Sequence, residues 1–508
     1  MTSYKNITKT LLPVVILLSM LLTAYGQKKK NTDTPNVKPE KKTVPDFIVE
    51  GETSKKLDTL LTPAIQKVLT SHSVPGMAIG VVYQNKIVYA KGFGYKNISA
   101  KEPVTISSIF HMASISKPFS ATAIMQLVEQ GKMDLDAPLT TYLPYFKLAD
   151  ENYKKITIKQ MLCHNSGMPD SNDYQWDKPQ YDAGALERYV RSIAAEKMIA
   201  APGEKFRYSN IAFEVLGDVI AKVSGMSFAD YQKKYILDKA GMKTSTFLKP
   251  ERLPRNWVSP HSLSLKVFTL PVYPYNRRHG PSSTLHSSAV EMCNWALINL
   301  NRGTFAGNKI LDAASYDSLF HPWIKVKEGT PSGFAVGLSW FLKEYKGEKT
   351  VGHSGSDPGF MTNFIMLPEK SAAVVVMANT VPAPVEEITK AALDIILGHQ
   401  MTPIKPWASA GLWKIMEEKG LDAAVQHWEA LKRDHADDYD FGIQQFYNLY
   451  FAVVNGKVED AKIIARICKA VLQGKKSQYL ENAIKYLAKK DPSNQAAASV
   501  LEIFKKPD

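Results

Sequence analysis

The spacing of apolar residues changes along this chain, and each change marks an element. Leu57, Leu60, Leu61, Ile65 and Val68 recur at helical intervals and predict a helix opening at about Lys55. Residues 77–83 (MAIGVVY) and 87–89 are short apolar runs separated by Gln84, Asn85 and Lys86, which predicts a β-hairpin. Far downstream, residues 337–342, 363–367 and 372–377 predict further strands. The last of these, AAVVVM, is apolar at every position, as a strand covered on both faces must be. Between the two strand groups lies a long stretch of helical patterns and loops. Together these predict an α+β domain, in which an antiparallel β-sheet made from both ends of the domain is flanked by helices and carries an inserted helical region. From about Pro406 the pattern is helical throughout, as in 421–432, 458–472 and 495–504, with Asp491-Pro492-Ser493-Asn494 as a helix-start signal. This predicts an all-α tail of helical hairpins, with a loose likeness to tetratricopeptide units but no fixed-period repeat.

The ends of the pattern set the organisation. Lys5 and Lys9 precede the apolar stretch 11–22, and Ala24, Tyr25, Gly26 and Gln27 follow. A basic start, a short apolar core and small residues at −3 and −1 read as a secretory signal peptide. The apolar stretch falls short of the about 20 residues that span a bilayer, so no stable membrane insertion is expected after cleavage. The expected location is periplasmic or secreted. Residues 27–54, rich in Lys, Thr, Pro and Asp, read as a flexible linker. The predicted divisions are therefore signal peptide 1–26, linker 27–54, catalytic-size domain 55–400 and helical domain 401–508.

Composition removes several alternatives. With 45% apolar and 22% charged residues among 508, the chain packs a core. Its net charge of +14 is scattered among acidic residues with no long arginine run, which argues against a nucleic-acid partner. Cys163, Cys293 and Cys468 lack C-x-x-C spacing, so buried free thiols are expected rather than a zinc site. No histidine–carboxylate pattern such as H-E-x-x-H occurs, and neither metal nor cofactor is expected.

Chemistry enters at Ser114-Ile115-Ser116-Lys117. A serine and a lysine three residues apart share one helix face. Pro118 fits only the first helical turn, which puts Ser114 at a helix N-terminus, where developing negative charge is favoured. A lysine beside the serine, its pKa depressed by burial, can take the hydroxyl proton. The apolar surroundings, Phe110, Met112 and Ala113 before and Phe119, Ile124 and Leu127 after, make the helix a buried one. Tyr208-Ser209-Asn210 offers a second group: Tyr208 relays a proton if nearby cations stabilise its phenolate, and Asn210 holds Lys117 and a substrate amide. His353-Ser354-Gly355 leads into a strand, where a glycine on an edge lets substrate approach and backbone groups complete an oxyanion hole.

In that order, S-x-x-K, Y-x-N and a K-T-G-like triplet, the chain resembles the serine β-lactamases and penicillin-binding proteins, above all the class C β-lactamases and the D,D-peptidases, D-aminopeptidases and family VIII esterases related to them. The likeness covers roughly residues 55–400 and extends to 126–135 (QLVEQGKMDL), 162–168 (LCHNSGM), 337–340 (GLSW) and 352–355 (GHSG). It implies an exported serine hydrolase working through an acyl-enzyme on ester, amide or peptide carbonyls. Ser114, Lys117 and Tyr208 would be catalytic, and Asn210, His353, Ser354 and Gly355 substrate-binding. The alternative is a penicillin-binding or ligand-sensing module with little turnover, whose helical tail engages a protein partner. One departure stands out: His353 occupies the place of the family's lysine. It supplies a cation for a substrate carboxylate only below about pH 6.5. Cys163 and His164 are expected in a structural loop, Trp340 in the core, and Arg277 and Arg278 in a solvated loop, with a reserve role as a carboxylate anchor.

Overall fold

In the computed structural model, residues 47–49, 51–170, 173–326, 334–472 and 475–505 are described. The expected signal peptide and most of the expected linker lie outside them. The linker's end is corrected. A strand, β1 (Phe47–Val49), pairs into the main sheet, and helix α1 (Glu52–Ser71) starts ahead of Lys55.

The hairpin expected next is there but longer, as β2 (Gly76–Tyr83) and β3 (Lys86–Asn97). Gln84 and Asn85, at φ 50° and 58°, form its two-residue turn, the mirror-image geometry that suits a twisted hairpin. The later strands are β4 (Phe341–Tyr345), β5 (Glu348–Asp357), β6 (Phe360–Leu367) and β7 (Ala372–Ala378). They build one ten-stranded sheet whose central order is β1-β3-β2-β7-β6-β5-β4, every pair antiparallel. Residues 337–342 are not one strand. Gly337 N–H bonds Trp340 O at 2.8 Å, a turn that drives Leu338 and Trp340 into the core before β4 begins.

Strand β7 shows why the sheet is interior. Val374, Val376 and Ala378 face one core, and Ala373, Val375 and Met377 face the other, the period of two that a strand imposes. On the first face lie α1 and α5 (Val385–Ile396). On the second lies the inserted helical region, including α2 (Ser116–Glu129), α3 (Asn210–Ser224) and α4 (Ala289–Leu300). Helix α4 rests directly on β2. A Cβ on Gly80 would stand 2.5 Å from Cys293 Sγ, so only glycine fits. Cys163, Cys293 and Cys468 are buried and free.

The tail consists of α6 (Leu412–Lys419), α7 (Leu421–Asp434), α8 (Tyr447–Val454), α9 (Val458–Val471), α10 (Lys475–Lys490) and α11 (Gln495–Lys505). It has its own core around Trp428, Phe446, Ile464 and Val500. It also clasps the domain before it. Leu265 packs on the tail core. Asn448 Nδ2 donates to Ser264 O at 3.3 Å, Ser264 Oγ donates to Asp460, and Lys457 lies 4.8 Å over the Phe268 ring. Among the described residues, no helix is long and apolar enough to cross a membrane, and none of their side chains cluster as a metal site.

Candidate active site

The segment before α2 is held in an unusual conformation. Ala113 adopts φ 48°, sparsely populated for a residue with a side chain. Three neighbouring bonds maintain it. Thr362 Oγ1 donates to Met112 O at 3.0 Å, Met112 N–H bonds Leu285 O at 2.8 Å, and Ser116 Oγ bonds Ala113 O at 2.7 Å. Ser114 is thereby set at the mouth of α2, ahead of its first residue Ser116, with Pro118 in the first turn. Among the described residues, no backbone acceptor takes the Ser114 N–H.

Lys117 is fully buried. Its Nζ donates to Ser114 Oγ at 3.0 Å, Asn210 Oδ1 at 2.6 Å and Ser282 O at 2.9 Å, which uses all three of its protons. Burial lowers its pKa to about 8, against the upward pull of Glu214, Asp357 and Asp170. Glu214 is itself buried, accepting from Ser282 Oγ at 2.6 Å and His279 Nδ1 at 2.9 Å.

Tyr208 reaches Ser114 with its hydroxyl. Its ring is stacked on His164, centroids 4.2 Å apart, and Lys117 Nζ stands 4.9 Å from its centroid. His164 Nδ1 accepts the Ser209 N–H at 3.2 Å, so the structural role expected for it is that of a platform for Tyr208. The phenolate expectation is corrected. Burial pushes the Tyr208 pKa well up, and the hydroxyl stays neutral. Asn210 is also more constrained than expected. Its Oδ1 holds Lys117 while its Nδ2 donates to Asp170 Oδ2 at 3.1 Å, which leaves the amide orientation no freedom.

The opposite wall is β5. Two-residue turns close its hairpins at Asp357↔Phe360 and Tyr345↔Glu348. Such turns close on hydrogen-bonded pairs, and bonding alternates from there. Odd-numbered residues of β5 therefore bond β6, and even-numbered ones bond β4. Strand β4 ends opposite Gly352, so the N–H of Ser354 and the N–H and C=O of Ser356 face an open edge on the cleft, while the Ser354 C=O is taken by His353 Nδ1. The strand is interior to the sheet yet locally edged at its last turn. The reason for Gly355 is also corrected. A Cβ there would stand 2.4 Å from Met112 O and 2.6 Å from Thr362 Oγ1, so the glycine admits the Ser114 segment rather than the substrate.

His353 is 2% exposed, stacked on Phe341 with centroids 4.6 Å apart, its Nδ1 on Ser354 O at 2.6 Å. Burial, then the charge on Lys117, holds its pKa down at about 3. The gain of charge expected below pH 6.5 is therefore overturned. Arg277 and Arg278 do not substitute for it. Arg277 donates to Tyr181 O and Arg278 to Gln175 Oε1, and neither lines the cleft.

Of the seven sequence-derived residues, six line one cleft of about 400 Å³, and the seventh, Lys117, is buried behind it, bonded to Ser114 and Asn210. Sequence reasoning missed Tyr174, Ser283 and Asp357, which also line it. Asp357 Oδ2 accepts from His111 Nε2 at 2.8 Å and from Ser283 Oγ. Its signal was available: it lies two places past Gly355 and four past His353, on their face of the strand.

An antiparallel sheet covered on both faces, with a buried S-x-x-K helix facing a strand edge, is a β-lactamase/transpeptidase-like fold. The beta-lactamase family model matches residues 61–398, and the chain belongs to that family of serine hydrolases. Protein flp of Staphylococcus aureus strain MW2 is 26% identical over 336 residues, covering 65% of this chain and 64% of the relative. The match thus spans less than two thirds of that relative's length. Penicillin-binding protein 4* of Bacillus subtilis is 27% identical, covering 62% of this chain and 70% of its own. Among solved structures, the octameric penicillin-binding protein homologue of Pyrococcus abyssi superposes at TM-score 0.60 with 29% identity, covering 71% of this chain and 81% of that one. D-alanine carboxypeptidase AmpC of Burkholderia cenocepacia, at TM-score 0.56 and 22% identity over 68% of this chain and 99% of its own, shares the fold.

Proposed function

We propose that this protein is an exported serine acyl hydrolase for neutral ester, amide or peptide-type carbonyls, with Ser114 as nucleophile. The observation that carries this is the buried Lys117 amine, 3.0 Å from Ser114 Oγ, with a pKa lowered to about 8. In its neutral form Lys117 accepts the Ser114 proton, directly or through the Tyr208 hydroxyl. Ser114 Oγ bonds to the carbonyl carbon, and the carbonyl π electrons move to oxygen. The backbone N–H groups of Ser114 and Ser356 are suited to hold that oxyanion. Its collapse breaks the bond to the leaving group, which takes the proton back from Lys117 or Tyr208. Water then repeats the sequence on the acyl-enzyme, releasing the acid and restoring Ser114.

The charge pattern supports neutral substrates over anionic ones. The cleft lining contains Asp357 but no Lys or Arg, and its histidine is uncharged. A charge-assisted hydrogen bond is worth about 1.5–3 kcal/mol, or ten- to a hundredfold in recognition, and this cleft offers none to a carboxylate. Intact-mass spectrometry after incubation with nitrophenyl esters, D-aminoacyl amides and a penicillin tests the reading. A transient acyl adduct in the natural protein, absent in Ser114→Ala, is expected. Turnover that survives Ser114→Ala sinks it, and a permanent adduct without turnover favours the penicillin-binding or sensing alternative. Export rests on the sequence of residues 1–26. N-terminal sequencing of secreted protein should start at or near Gln27, and Met1 retained in membrane material would refute it.

A further inference from the structure

The cleft does not end at Asp357. Tyr174, Ser356 and Asp357 line it and also line a second cavity of about 630 Å³, so the two adjoin across these residues. One side of this second cavity comes from the hydrolase domain, at Val272. The other comes from the tail, at Phe451 and Val454 on α8. Val272 and Val454 are large apolar residues left 38% and 49% exposed, and both line this space. The charged residues in its lining are Asp173, Asp177 and Asp357, the last held from behind by His111 Nε2 at 2.8 Å, and the lining residues include no Lys, Arg or His.

We propose that this cavity is an arm subsite. It takes an extended apolar substituent of the substrate that is neutral or ends in an amine, and the tail forms one of its walls. The inference rests on the serine-hydrolase reading above. Apolar walls reward each buried methylene several-fold. A lining whose charges are all carboxylates attracts an amine and repels a second carboxylate. The anchoring of α8 on Ser264 by Asn448 sets the distance between the walls. The tail is thus part of the substrate-binding surface, in addition to any contact it makes with other proteins.

The test uses the full chain and two substrate ladders. One is nitrophenyl esters with acyl chains from two to ten carbons (acetyl to decanoyl). The other is acetates of alcohols over the same range. In one ladder kcat/KM should rise with length by at least tenfold. Val454→Trp, at a surface position where folding is not at stake, should lower the long-to-short ratio by tenfold or more. An arm ending in an amine should outrun an equal arm ending in a carboxylate by a similar factor. Flat ladders on both sides, a ratio indifferent to Val454→Trp, or a preference for the carboxylate arm would overturn the arm subsite while leaving the acetyl ester a substrate. Failure to turn over even the acetyl ester would refute the hydrolase reading, and the arm subsite with it.

Discussion

On one wall of the cleft, the side chains that handle the proton are each held by partners. Lys117 gives its three protons to three acceptors, Asn210 is gripped from both ends, and Tyr208 lies between His164 and Lys117. On the other wall, β5 offers open backbone groups, an uncharged His353 and the carboxylate of Asp357. The first wall is built to handle one proton and has little tolerance for change. The second is built to receive varied ligands. Catalysis and selectivity therefore sit on separate elements, and substitutions on each should fail in different ways.

The largest effect belongs to the first wall. Lys117→Ala and Tyr208→Phe should each cost about a thousandfold or more in acylation rate, and the double variant little more than the worse single one, because they act as one proton network. Independent, multiplying losses in stopped-flow acylation would separate the two residues. Next is Gly355→Ala, which forces a Cβ against Met112 O and Thr362 Oγ1. Displacing the Ser114 segment should cost about a hundredfold in kcat, as misplacing a reacting group by about 1 Å does, with about 1–3 kcal/mol of stability lost to overpacking. An unchanged kcat would mean that the second wall does not position Ser114.

A smaller effect follows from Lys117 alone. Its neutral form is the active one, so kcat/KM on a neutral ester should rise about tenfold per pH unit below the pKa and level off above about pH 8. A profile flat from pH 6 to 9 would remove Lys117 as the base. The smallest effect tests the second wall. With His353 held down at about 3, the ratio of ester to cephalosporin turnover should not change between pH 8 and 5.5 on its account. His353→Lys should shift that ratio toward the cephalosporin by about tenfold. A ratio that moves toward the carboxylate substrate as the natural protein is acidified through pH 6.5 would show that His353 charges after all.

Much of this was legible in local pattern. The burial of β7 on both faces follows from AAVVVM, and the Ser114, Lys117, Tyr208 and His353 motifs stand at readable spacings. What was not legible depends on contacts distant in sequence. The uncharged state of His353 comes from Phe341 and Lys117, not from its neighbours. The grip of Asp170 on Asn210 and the tail's share of the second cavity arise where separate loops meet. The run 337–342 reads as a strand because Leu338 and Trp340 alternate with polar or small residues, yet both are drawn inward by a turn.

The pairing of β2 with β7 has a consequence for how the molecule is made. Val81 lies opposite Val374, roughly 290 residues later in the chain. At about 5–20 residues per second, a ribosome delivers the second strand on the order of 15–60 s after the first. For all that interval the apolar edge of the first hairpin lacks its partner, and the sheet cannot close around its centre. The early product of translation is a half-sheet exposing the residues that later lie deepest. Chaperone occupancy should therefore peak on nascent chains that end before residue 372 and fall once β7 has emerged.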